Sequence, residues 1–138
     1  MIRAVIDTNI LVSGIISERG APRQVIQAWH RQQFTLLTSA LLIAEVVRVL
    51  HYPRIQETYR LSEEDILLVR DALLNDAEIL EGLYQVTRSR DPDDNLFLAC
   101  ALEGRADYLV SGDPHLLEIK HYHGVQIVTA RQFLDMLT

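Results

Sequence analysis

Short apolar runs alternate with helix-like stretches along this chain, and that alternation constrains its fold more than any other feature. Ile2-Arg3-Ala4-Val5-Ile6 is rich in β-branched residues and stops at the polar triplet Asp7-Thr8-Asn9, which predicts a short buried strand. Phe34 to Leu37, Asp107 to Ser111 and Val125 to Thr129 read the same way; Ala77 to Leu80 and Tyr84 to Thr87 are further short extended pieces. Between them, Ile10 to Ile16 predicts a helix, and Pro22 fits the first turn of another with Val25, Ile26 and Trp29 at helical spacing. Thr38-Ser39 offers an N-cap for a helix from Ala40 to about His51, which Pro53 helps to stop. Ser62-Glu63-Glu64-Asp65 opens a helix carrying Ile66, Leu67, Val69, Leu73 and Leu74. Asp91-Pro92 starts one that runs to Glu103 with Gly104 as C-cap. His115 to Leu117 forms a short helical turn and Ala130 to Leu137 closes the chain as a helix. Strands alternating with helices imply an α/β fold with a parallel sheet covered on both faces. No repeat, low-complexity segment or linker divides residues 1–138, so a single domain is expected.

Four acids interrupt this pattern where a solvated surface acid would be out of place. Asp7 ends the first strand, Glu45 lies mid-helix with Leu41, Leu42 and Val49 as neighbours, Asp94 opens an apolar helix, and Asp113 follows Tyr108-Leu109-Val110-Ser111-Gly112. A carboxylate beside a core is costly unless it is paired or bound to a metal. Ligands of parallel sheets bind at the carboxyl ends of strands. Asp7 and Asp113 follow strands and Asp94 sits at a helix N-terminus, so these three share one edge. A cation held among the acids is the functional hypothesis.

Each acid also has a plainer reading. Asp7 could cap the next helix, although Thr8 or Asn9 could do so and leave it free. Glu45 could pair with Arg48 three residues on. Asp91 as N-cap, with Asp93 and Asp94 as favourable first-turn charges, would explain three aspartates without chemistry. Helical phase separates the last two: Asp94 shares a face with Leu98 and Ala101, while Asp93 is rotated away and remains the second choice. Asp113 could be a turn residue before Pro114. Asp107 precedes its strand and belongs at the opposite edge, with Arg105 as its expected partner.

The net charge of −6 argues against a module held to nucleic acid by bulk electrostatics, but not against an enzyme whose acids are neutralised by divalent ions. Twelve of the thirteen basic residues are arginine, which suits phosphate contacts and surface ion pairs equally, so this bias decides little. One cysteine, Cys100, excludes a disulfide framework and a multi-cysteine zinc site, and its apolar setting predicts a buried, inert thiol. His121 and His123 flank a tyrosine near a glycine and read as a solvated loop. There is no signal-peptide pattern and no apolar run long enough to span a bilayer, so a cytoplasmic protein is expected.

Val-Ile-Asp-Thr-Asn at 5–9, the mid-helix Glu45, Asp-Asp-Asn-Leu-Phe-Leu-Ala-Cys-Ala at 93–101 and Asp-Tyr-Leu-Val-Ser-Gly-Asp at 107–113, in that order, resemble a PIN domain. The resemblance extends to Thr129-Ala130-Arg131-Gln132-Phe133-Leu134 and is nearest to the small stand-alone PIN proteins regarded as toxins of toxin–antitoxin pairs. It implies a three-layer α/β/α sandwich with a central parallel sheet and a metal-dependent endoribonuclease using Mg²⁺ or Mn²⁺. Its acidic quartet falls on Asp7, Glu45, Asp94 and Asp113, with Asn9 and Ser111 in support through hydrogen bonds.

On this basis Asp7 and Asp94 are expected to contact metal directly, with Glu45 and Asp113 acting through water or on a second ion. Arg48, Arg54 or Arg90 would hold phosphates of a single-stranded RNA. A small antitoxin and a second copy of the chain are the expected protein partners. Two alternatives are a catalytically weak PIN-like binding protein and a receiver-type phosphoacceptor, in which Glu45 would have no role.

Overall fold

A computed structural model describes residues 1–137. In chain order its elements are β1 (Arg3–Ile6), α1 (Thr8–Ile16), α2 (Ala21–His30), β2 (Thr35–Ser39), α3 (Ala40–Leu50), α4 (Pro53–Thr58), α5 (Glu63–Asp76) and β3 (Glu78–Leu80). Then follow α6 (Pro92–Glu103), β4 (Tyr108–Val110), α7 (Pro114–Ile119), β5 (His121–Tyr122), β6 (Val125–Val128) and α8 (Ala130–Met136). The strands form one sheet in the order β3-β2-β1-β4-β6-β5. Pairing is parallel from β3 to β6, with Val5 beside Leu37 on one side and Leu109 on the other. Only β5 runs antiparallel, against β6 at one edge.

Continuous apolar strands bury both faces of this sheet, so each face needs its own helical layer. Ala4, Ile6, Leu36, Val110 and Val128 face a core closed by Leu11 of α1, Val25 of α2, Val46 and Leu50 of α3, Ile66 and Leu73 of α5, and Phe133 of α8. Phe34 and Phe133 meet edge to face there, with ring centroids 4.9 Å apart. Val5, Leu37, Leu109 and Ile127 face the other way, onto Phe97, Leu98 and Ala101 of α6 and Leu116 of α7. The result is the expected α/β/α sandwich with a mostly parallel sheet. Sequence order reverses between β1 and β4, which places the usual ligand crevice of such sheets at the carboxyl ends of those two strands.

Four local expectations need correction. Pro53 does not merely stop α3: it occupies the first turn of the additional helix α4. Residues 84–87 form no strand, because Glu103 accepts hydrogen bonds from the amides of Gly82, Leu83 and Tyr84 and draws the chain away from the sheet after β3. The region of His121 is not a plain loop, since His123 and Gly124 take positive φ and turn β5 back onto β6. Asp107 lies at the opposite edge as expected but accepts from the Arg3 amide at 2.9 Å, not from Arg105. Gly104 does end α6, with a right-handed φ of −83°. A Cβ there would come within 2.8 Å of the Cδ1 methyls of Leu37 and Leu80, so any larger residue would have to displace them.

Candidate metal centre

Asp7 leaves β1 directly over the crevice. It is 2 % exposed and is itself the N-cap of α1, with Oδ1 accepting from the Ile10 amide at 2.8 Å. Thr8 and Asn9 therefore do not relieve it of capping; they lie inside the helix. Its second oxygen accepts from Ser111 Oγ at 2.5 Å and from the Gly112 amide at 3.3 Å, across the gap between β1 and β4. Ser111 Oγ in turn accepts from the Asp113 amide at 3.0 Å. Burial nonetheless holds the Asp7 carboxyl above its ordinary range, against the effect of these hydrogen bonds and with help from nearby Asp113.

Asp94 sits in the first turn of α6 and is 3 % exposed, whereas Asp93 is exposed, as helical phase predicts. Its Oδ2 accepts from Ser89 Oγ at 3.1 Å. Burial raises its pKa, and the charges of Asp113 and Asp91 add to that. Asp113 is half-buried and caps α7 through the His115 amide at 2.8 Å. Asp91 caps α6 through the Asp93 amide at 2.9 Å. Oxygens of Asp91, Asp94 and Asp113 all lie within 4.8 Å of one another.

Glu45 is half-buried on α3, one turn from a Leu41 that is 63 % exposed, so it occupies the rim of the buried stripe and not its middle. Arg48 Nη2 stands 3.8 Å from its Oε1. Burial comes first in raising the Glu45 pKa, followed by repulsion from Asp93; Asp7 also contributes, and Thr8 and Arg48 oppose the shift. The Thr8 hydroxyl is buried and makes no completed hydrogen bond, although it lies close enough to favour an ionised Glu45. Asn9 is exposed and hydrogen-bonds none of the acids. Arg54 and Arg90 are exposed and form no ion pair with them.

Three carboxylates whose pKa values are raised by burial and by neighbouring acids, with an all-oxygen donor set, fit a hard divalent cation. Among the described residues, the carboxylates close enough to share an ion are Asp94, Asp113 and Asp91; Asp7 and Glu45 are not in that group. In the sequence Asp91 reads as a helix cap alone, and nothing marks Ser89. A cap residue shows one oxygen's duty in sequence and hides the other's, and a loop serine carries no local signal.

A family model described as PIN domain matches residues 3–115, a span that holds every one of these acids. The chain belongs to the PIN-domain family. An uncharacterised protein of Methanocaldococcus jannaschii is 27% identical to this PIN protein over 143 residues, covering 97% of this chain and 90% of that one. Among solved structures, VapBC2 from Rickettsia felis, bound to a DNA fragment from its promoter, matches with a TM-score of 0.58. That match covers 91% of this chain and 97% of the other at 15% identity, a likeness of fold.

Proposed function

We propose that this PIN protein is a metal-dependent endoribonuclease that hydrolyses phosphodiester bonds of single-stranded RNA with Mg²⁺ or Mn²⁺. The observation that carries the reading is the convergence of Asp91, Asp94 and Asp113 oxygens within 4.8 Å at the β1–β4 crevice, beside the buried Asp7. Asp94 and Asp113 hold the cation in this reading, Asp7 completes the set with Asp91 beside it, and Glu45 orients water at the rim. A bound divalent ion supplies a low-pKa water and neutralises charge on the phosphoryl and leaving oxygens.

The chain's own groups do the rest. Ser111 and the Gly112 amide, both donating to Oδ2, fix the direction of the Asp7 carboxylate. The Arg48 guanidinium, set between Glu45 and a 2.7 Å hydrogen bond to Tyr52 Oη, stands where a backbone phosphate can approach. Arg90, next to Asp91, and Arg54 can hold further phosphates. Membership of the family and the shared VapBC2 fold support a toxin neutralised by a small antitoxin; a cytoplasmic location and a homodimer are proposed alongside it. The test is cleavage of a fluorescent single-stranded RNA in Mg²⁺ or Mn²⁺: Asp7→Asn abolishes it, and full activity in that variant would refute the assignment.

A further inference from the structure

Residues 81–91 cross from β3 to α6 without regular structure, and they deliver Ser89 to Asp94. A loop serine has no intrinsic reason to hold its hydroxyl on a buried carboxylate, because backbone freedom spreads it over many positions. Here the backbone of Ser89 is fixed from outside the loop. Asn95 Oδ1 accepts from the Ser89 amide at 2.8 Å, and Asn95 Nδ2 donates to the Ser89 carbonyl at 2.7 Å. This two-point pairing imitates a strand partner and leaves Ser89 one orientation. Its hydroxyl then donates to Asp94 Oδ2 at 3.1 Å and accepts from the Asp91 amide at 3.2 Å. Two of the three clustered acids are thus tied to one hydroxyl, and the residue that holds that hydroxyl is the next in sequence after Asp94.

We propose that Asn95 and Ser89 form a clamp that positions the Asp94 carboxylate for the divalent cation. Asn95 acts only through Ser89: its side-chain amide is spent on the Ser89 backbone, while Asp94 Oδ2 is oriented by the hydroxyl. Outer partners of metal ligands commonly set affinity by 10–100-fold, because they fix a carboxylate that would otherwise sample several rotamers. The inference rests on the metal-dependent reading above.

Calorimetric titration of Mn²⁺ into the whole metal-free chain tests it, with S89A, S89T, N95A and the double variant S89A/N95A. The expected result is a Kd raised about tenfold or more in S89A and in N95A. S89T, which keeps the hydroxyl, should stay near the unsubstituted value. The double variant should be no weaker than S89A, because a residue acting through Ser89 has nothing left to position. A Kd within about twofold of the unsubstituted chain in S89A, or effects that multiply in the double variant, would overturn the clamp while leaving the metal reading intact. Absence of Mn²⁺ binding in the unsubstituted chain would overturn both. If N95A does not fold, the contrast between S89A and S89T decides alone.

Discussion

Replacing Asp7 by asparagine should separate the structural work of this residue from its work on a cation. Asparagine keeps Oδ1, so the 2.8 Å cap to the Ile10 amide survives. Its amide nitrogen replaces Oδ2, which now accepts from Ser111 and Gly112. The serine hydroxyl can turn to accept, but the Gly112 amide loses its partner, at a cost of about 1 kcal/mol. Against that, the variant removes a buried carboxylate whose raised pKa reports an unfavourable charge. The two terms nearly offset, so in EDTA the variant should melt within about 5 °C of the unsubstituted chain. Mn²⁺ at about 100 times Kd should stabilise the unsubstituted chain by about 2.7 kcal/mol, or roughly 10 °C. A hundredfold weaker site would retain only about 0.4 kcal/mol of that. Differential scanning fluorimetry with and without Mn²⁺ measures both effects. An equal Mn²⁺ shift in the two proteins would refute the role given to Asp7, as would a large loss of stability in EDTA alone.

Three further outcomes follow from the same geometry. Gly14→Ala places a Cβ 2.5 Å from the Pro22 carbonyl oxygen and 2.4 Å from Ile26, so α1 and α2 must part; thermal melting should show a loss of about 1–3 kcal/mol with Mn²⁺ affinity unchanged. His51 offers both ring nitrogens to acceptors, Val47 O at 3.0 Å and Glu63 Oε2 at 2.8 Å, which requires the doubly protonated ring. Its pKa is raised above 6.5 and that of Glu63 is lowered below 4.5. The pair therefore stabilises most between those values, losing its effect as pH rises through the His51 pKa or falls through that of Glu63; the melting difference from Glu63→Gln should follow that window. Cys100 is buried with its thiol pushed up to about 12, so it should resist iodoacetamide at pH 8 until the chain is unfolded.

The layers of this fold were legible because they follow from local pattern. β1, α3 and α6 announce themselves through apolar runs, a Ser39 cap and an Asp91-Pro92 start, and parallel order then places Asp7, Asp94 and Asp113 at one edge. The phase of α6 alone distinguished Asp94 from Asp93, since burial on a helix repeats with its turn. What was not legible depends on partners distant in sequence or on backbone angles. β5 consists of two residues and exists because His123 and Gly124 adopt positive φ, a choice that the sequence Tyr-His-Gly only permits. The path of residues 81–91 is set by Glu103 at one end and Asn95 at the other. Glu45 appeared more deeply placed than it is, because Leu41 counts as apolar in sequence yet faces solvent.

The account rests on a cation held by the buried member of the aspartate doublet. Its most direct test is the rate of single-stranded RNA cleavage by Asp94→Asn and Asp93→Asn at saturating Mn²⁺, with an EDTA control. The account predicts cleavage that is absent in EDTA, lost by at least about a hundredfold in Asp94→Asn, and largely kept in Asp93→Asn. Cleavage that persists in EDTA, or that survives in Asp94→Asn and fails in Asp93→Asn, would contradict it.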